Sequence, residues 1–127
     1  LLEGKRYLKL NDIEAYRISF ALSNSVWKIV VLWKNFEKDT IGKQFARAVD
    51  SISANIAEGF GRYSKKDKIN FYRYARASVY ECFDWNEKAR VRGIISQNQY
   101  EQIFNELQKL PKSINSLIKY TTNQLTI

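Results

Sequence analysis

The sequence predicts an all-α fold: an up-down-up-down four-helix bundle forming a single domain over residues 1–127. Three observations carry this. Apolar residues recur at helical spacing through four long stretches, about 12–36, 41–60, 65–92 and 97–120. The chain holds one proline and five glycines, too few punctuators for the many turns of a β fold. The connections between the stretches are short and polar, which forces consecutive helices to run antiparallel. At 127 residues the chain can bury one core without disulfide or metal staples.

The chain opens on a basic lead, LLEGKRYLKL, after which Asn11 or Asp12 can cap the first helix. The apolar residues of that helix include Ile13, Tyr16, Phe20, Val26, Ile29, Val30 and Trp33, while Leu22, Trp27 and Val31 fall off this face. A helix apolar on more than one side is either deeply buried or carries a second interface, which points to an oligomer. Glu37 to Thr40 read as the first connection, with Asp39 or Thr40 as the next cap.

Helix two organises the rest. Phe45, Val49, Ile52 and Ile56 step by four, three and four, the spacing of a seam packed on other helices. Ala46, Ala48, Ser51, Ser53, Ala54 and Ala57 surround the seam and let neighbouring backbones come close. Gly59 and Gly61 are expected to stop the helix through a left-handed cap. Arg47, Ser51, Asn55 and Glu58 form a polar stripe beside the seam. With Ser78 and Glu81 of helix three they predict a structural hydrogen-bond network. Ser64, followed by Asp67, caps helix three. Its inward face is read as Phe71, Ala75, Ser78, Val79, Cys82 and Trp85, with Tyr72, Tyr74, Tyr80 and Phe83 flanking. Gly93 ends it. Ser96 and Gln99 make a second capping box, and helix four carries Ile103, Leu107, Leu110, Ile114 and Leu117, with a kink expected at Pro111.

Histidine is absent, which removes the usual general base, metal ligand and imidazole triad. The single cysteine, Cys82, has no CxxC partner and reads as a small buried residue in a reducing, cytoplasmic setting. No GxxxxGK[ST] loop is present, and no apolar run is long enough to span a membrane. Glu58 and Glu81 are the one carboxylate pair that could meet across helices two and three. An enzyme would need them as acid and base, but the expectation is no catalysis, no metal and no cofactor.

Charge is the remaining signal. Twenty-one basic against thirteen acidic residues give +8, which favours a polyanion partner. The bundle topology gathers Lys5, Arg6, Lys9, Arg62, Lys65, Lys66, Lys68 and Lys119 at one end, where Tyr7, Phe60 and Tyr63 could stack on bases. Arg73 and Arg76 continue this basic stripe along helix three. RNA or DNA is the expected ligand. An acidic protein docked on an interaction scaffold is the alternative.

The run Arg47-Ala48-Val49, Ser51-Ile52, Ala54-Asn55-Ile56-Ala57-Glu58-Gly59-Phe60-Gly61-Arg62 and Ser64-Lys65-Lys66, followed by Phe71, Ala75, Ser78 and Glu81, resembles the four-helix-bundle family of 23S rRNA intervening-sequence proteins. Where that family usually carries a proline after the Ser-Ile pair, this chain has Ser53, a difference that bears on a local kink and not on the fold. Similar bundles include the accessory variability protein of diversity-generating retroelements, a basic homopentameric barrel that engages nucleic acid and a reverse transcriptase. The resemblance therefore implies a small cytoplasmic bacterial bundle that assembles as a homopentamer and binds nucleic acid or acts as a scaffold.

Overall fold

A computed structural model describes residues 9–124. Four long helices, α1 (Glu14–Val30), α2 (Lys43–Phe60), α3 (Lys65–Val91) and α4 (Gln97–Thr122), run alternately up and down. Each packs mainly on the two beside it: α1 on α2 and α4, and α3 on α2 and α4. The seam read for α2 is the centre of the core, with Phe45, Val49, Ile52 and Ile56 all buried. They meet Val26 of α1, Ala75, Val79 and Cys82 of α3, and Leu107, Leu110 and Ile114 of α4. A smaller cluster of Ile41, Ala89 and Ile95 closes the end near the α3–α4 turn.

The first helix departs from the sequence reading in three ways. Its start is formed by the 3-10 turn Leu10–Asp12, in which the Lys9 amide donates to Asp12 Oδ2 at 2.9 Å, and Ile13 occupies the cap position. Its buried face is Ala15, Ser19, Leu22, Ser23, Val26 and Val30, whereas Phe20 is 51% exposed. Leu22 is thus a core residue and Phe20 is not. Serine can hold the inward positions because each hydroxyl bonds its own helix, Ser19 to Tyr16 O at 3.2 Å and Ser23 to Phe20 O at 2.7 Å. The helix also ends at Val30, not near Phe36. The amides of Leu32 and Trp33 tighten back onto Ile29 O and Val30 O, and Lys34 is extended.

The polar run read as a connection is itself helical. A short turn, Asn35–Glu37, and a π-helical turn, Lys38–Gly42, lead directly into α2. Gly42 is buried there, and a Cβ on it would lie 2.9 Å from Val30 Cγ1 and 3.1 Å from the Trp33 ring. The extra residue of the π turn lets this glycine abut the end of α1.

The glycines at the end of α2 also act differently from expectation. Gly61 has φ −79°, an ordinary right-handed conformation. Gly59 lies within the helix, buried, where a Cβ would stand 2.7 Å from Tyr72 Cε1 and 3.0 Å from Lys68 O. Gly59 therefore makes room for Tyr72, which is a core side chain and not a flanking one. Among the described residues the left-handed glycine is Gly93, at φ +70°. Its amide bonds Arg90 O, and that of Ile94 bonds Ala89 O at 2.9 Å, the paired bonds of a Schellman ending. Ser64 and Ser96 cap α3 and α4 as read, accepting from the amides of Asp67 and Gln99 at 3.1 and 3.0 Å. The Gln99 side chain returns a bond to the Ser96 amide. Helix α4 runs without interruption through Pro111.

Candidate nucleic-acid interface

The α2–α3 turn brings its basic residues to one end of the bundle. Beside them a cleft of about 70 Å³ is lined by Ile13, Phe60, Lys68, Tyr72, Leu117 and Thr121, so the start of α1 and the end of α4 share this end. The cations here divide into two kinds. Lys65 Nζ donates to Thr122 O at 3.2 Å and to Gln124 O, tying α3 to the last turn of α4. Lys68 Nζ donates to Phe60 O at 2.8 Å and sits 5.6 Å from the Phe60 ring centre. Partial burial lowers its pKa from the ordinary lysine value. Both ammonium groups thus complete the carbonyl ends of neighbouring helices, where the backbone dipoles favour positive charge. Arg62 is held too, by Glu58 Oε2 at 2.8 Å and by the Phe71 ring 4.7 Å away. Arg76 donates to Asn115 Oδ1 of α4 at 2.6 Å.

The second kind points outward. Lys66 and Arg73 are exposed on α3 and make no hydrogen bond or ion pair among the described residues. The Lys9 and Lys119 side chains are exposed at the same end. Tyr63, in the turn, is 81% exposed. Lys5, Arg6 and Tyr7 lie outside the described residues. At the opposite end Lys34, Lys43 and Arg92 are exposed too, while two cations are paired with acids. Lys88 pairs with Asp84 at 2.6 Å, and Arg90 pairs with Glu87, which also accepts from Tyr100 Oη at 3.0 Å. The hydrogen bonds from Arg90 and Tyr100 hold the Glu87 carboxyl below its usual pKa.

The polar stripe of α2 resolves into separate contacts. Ser51 Oγ lies 2.7 Å from Ala48 O and 2.8 Å from Ser78 Oγ, so it donates to the carbonyl and accepts from Ser78 across the α2–α3 contact. Asn55 donates to Ser51 O at 2.8 Å. Glu58 turns to Arg62, while Glu81 accepts from Trp85 Nε1 at 3.2 Å, and Arg47 is exposed. Glu58 and Glu81 do not meet. With Ser51 level with Ser78, the antiparallel register sets them about 15 Å apart along the bundle. Among the described residues no three His, Cys, Asp or Glu side chains converge as metal ligands do. Cys82 is buried, and burial with the nearby Glu81 and Asp50 carboxylates pushes its thiol pKa well up.

The helix-end roles of Lys65 and Lys68 escape a reading by charge alone. Their signal is topological: both follow a tight turn, within reach of a helix C-terminus.

Fold and surface together define a small, basic, antiparallel four-helix bundle. No helix among the described residues is long and apolar enough to cross a membrane. The chain belongs to the 23S rRNA-intervening sequence protein family, whose model matches residues 11–116. Among solved structures it is similar to a protein of unknown function from the S23 ribosomal protein family of Bacteroides thetaiotaomicron VPI-5482. Identity is 28%, coverage is 83% of this chain and 95% of that one, and the TM-score is 0.76. No curated protein matches the sequence.

Proposed function

We propose that this chain is a non-catalytic, homo-oligomeric bundle that binds nucleic acid through its basic end and the adjoining face of α3. The observation that carries this reading is the division among the cations: Lys65 and Lys68 serve the fold, while Lys66 and Arg73 stand exposed on α3 and, among the described residues, unpaired, with Tyr63 exposed in the turn before it. The oligomer is supported by α1, where Phe20 and Trp27 are 51% and 57% exposed and Val31 continues their stripe. A pentamer is the assembly that the family resemblance implies, in a cytoplasmic setting that suits a lone buried thiol. The formal charge of +8 also suits a second reading, a scaffold that docks an acidic protein.

The test is fluorescence anisotropy of structured RNA and duplex DNA at several salt concentrations, with the assembly mass measured alongside. Because Lys65 and Lys68 hold helix ends, the informative variant is Lys66→Ala with Arg73→Ala. Wild type is expected to bind with a steep salt slope, and the double variant to lose affinity and roughly two units of that slope. Absence of binding near physiological salt would reject the nucleic-acid reading. Tight, salt-insensitive capture of an acidic protein would favour the scaffold.

A further inference from the structure

We propose that the outer face of α3 is a track for an unpaired nucleic-acid strand, with Lys66 and Arg73 on phosphates and Tyr63 and Tyr80 under bases. This rests on the nucleic-acid reading above and adds the form of the ligand and its path.

Lys66, Arg73 and Tyr80 are seven residues apart, so successive side chains drift only about 20° around the helix and form one line. Each interval rises about 10 Å, and Tyr63 stands just before the helix begins. In chain order the four are aromatic, cation, cation, aromatic. A cationic path punctuated by stacking rings is how single strands are held without reading their sequence. The rings are available: Tyr63 is 81% and Tyr80 60% exposed. Tyr80 is also braced, its ring 5.8 Å from Phe83, which stands edge-on to Phe104 of α4 at 5.6 Å. A braced, exposed ring offers its face to a base at small entropic cost.

The charge pattern sets the limits of the track. Between Asp67 and Glu81 there is no acidic residue. Asp67 lends its backbone amide to the Ser64 cap, and its carboxylate lies about 100° round the helix from Lys66. Beyond Tyr80, Glu81 and Asp84 bring acid back to the helix, and Asp84 is matched by Lys88. Within α3 itself, a polyanion running up from Lys66 to Tyr80 meets no acid after Asp67.

A duplex uses this face poorly. Its bases are stacked on one another, so the tyrosine rings would meet only sugar and phosphate, whereas unstacked bases can turn onto them.

The experiment compares a labelled 12-nucleotide RNA with its blunt duplex at one salt concentration, using the full chain. The single strand is expected to bind at least tenfold more tightly. Tyr63→Ala and Tyr80→Ala should each weaken single-strand binding about tenfold and leave duplex binding unchanged, while Tyr→Phe at either position keeps it. As an independent measurement on the unaltered protein, bromouridine-substituted strands should photocrosslink to the peptides that carry Tyr63 and Tyr80. Equal affinity for both forms, or crosslinks confined to other peptides, would overturn the track and leave the basic-surface reading standing. Failure of both forms to bind would overturn the two together.

Discussion

Gly59 and Gly61 are two residues apart in the sequence and opposite in consequence. A methyl on Gly59 would strike the Tyr72 ring and a backbone carbonyl, neither of which can give way without opening the α2–α3 contact. Gly59→Ala is expected to cost roughly 1–3 kcal/mol in denaturant unfolding. Gly61 has right-handed dihedrals and only ordinary van der Waals neighbours, so Gly61→Ala should stabilise by roughly 0.4–1 kcal/mol. Asp50 supplies a pH test. Partial burial raises its pKa above the ordinary 3.8, so the folded state holds its proton more tightly than the unfolded state does. The charged form therefore disfavours folding at pH values above both pKa values. Asp50→Asn should raise the thermal midpoint at pH 7, and the gain should shrink as pH falls towards 4. At this scale the sequence was legible where chemistry is local: Ser64, Ser96 and Gln99 cap as their spacing says. It misled where a neighbour from another helix decides. Nothing around Gly59 in the chain announces Tyr72, and two glycines in one short stretch read as a helix stop.

Helices α2 and α4 could be placed from periodicity because their large apolar residues and their buried residues largely coincide. Of the inward face read for α3, Ala75, Val79 and Cys82 are buried, while Tyr72, Asn86 and Ala89 take the places of Phe71, Ser78 and Trp85. Helix α1 could not be placed this way, because its buried face uses Ser19 and Ser23 while Phe20 and Trp27 look outward. A periodicity reading weights size and apolarity, so it drew Phe20 inward and left Leu22 out. The same inversion makes α1 informative about association, since both rings are more than half exposed. Trp27→Glu, with Phe20→Glu as a second variant, should lower the assembly mass by light scattering while helical circular dichroism and monomer folding are retained. An unchanged mass in both variants would place the subunit contact elsewhere. The start of α2 was misread for a related reason. Glu37, Lys38, Asp39 and Thr40 are polar because one side of a helical turn faces water, and polarity alone does not separate that from a loop.

Across the whole molecule, positive charge is unevenly committed. Both ends pair some cations with acids, Lys88 with Asp84 and Arg62 with Glu58, and leave others to solvent, while the α2–α3 end also sets Lys65 and Lys68 on helix ends. The fold was legible in the sequence and the candidate surface was legible as a region. Which lysines belong to it was not, because an ammonium on a carbonyl and an ammonium in water look alike in a string of letters. The start of α1 and the end of α4 share the cleft at that end. Ile13 and Thr121 both line it, so the polypeptide leaves the bundle close to where it enters. A circular permutant joined there by a short flexible linker and opened at Lys34, which is extended and exposed, should fold to the same bundle. Its near-native thermal midpoint would show that the order in which the four helices are strung is incidental to how they pack.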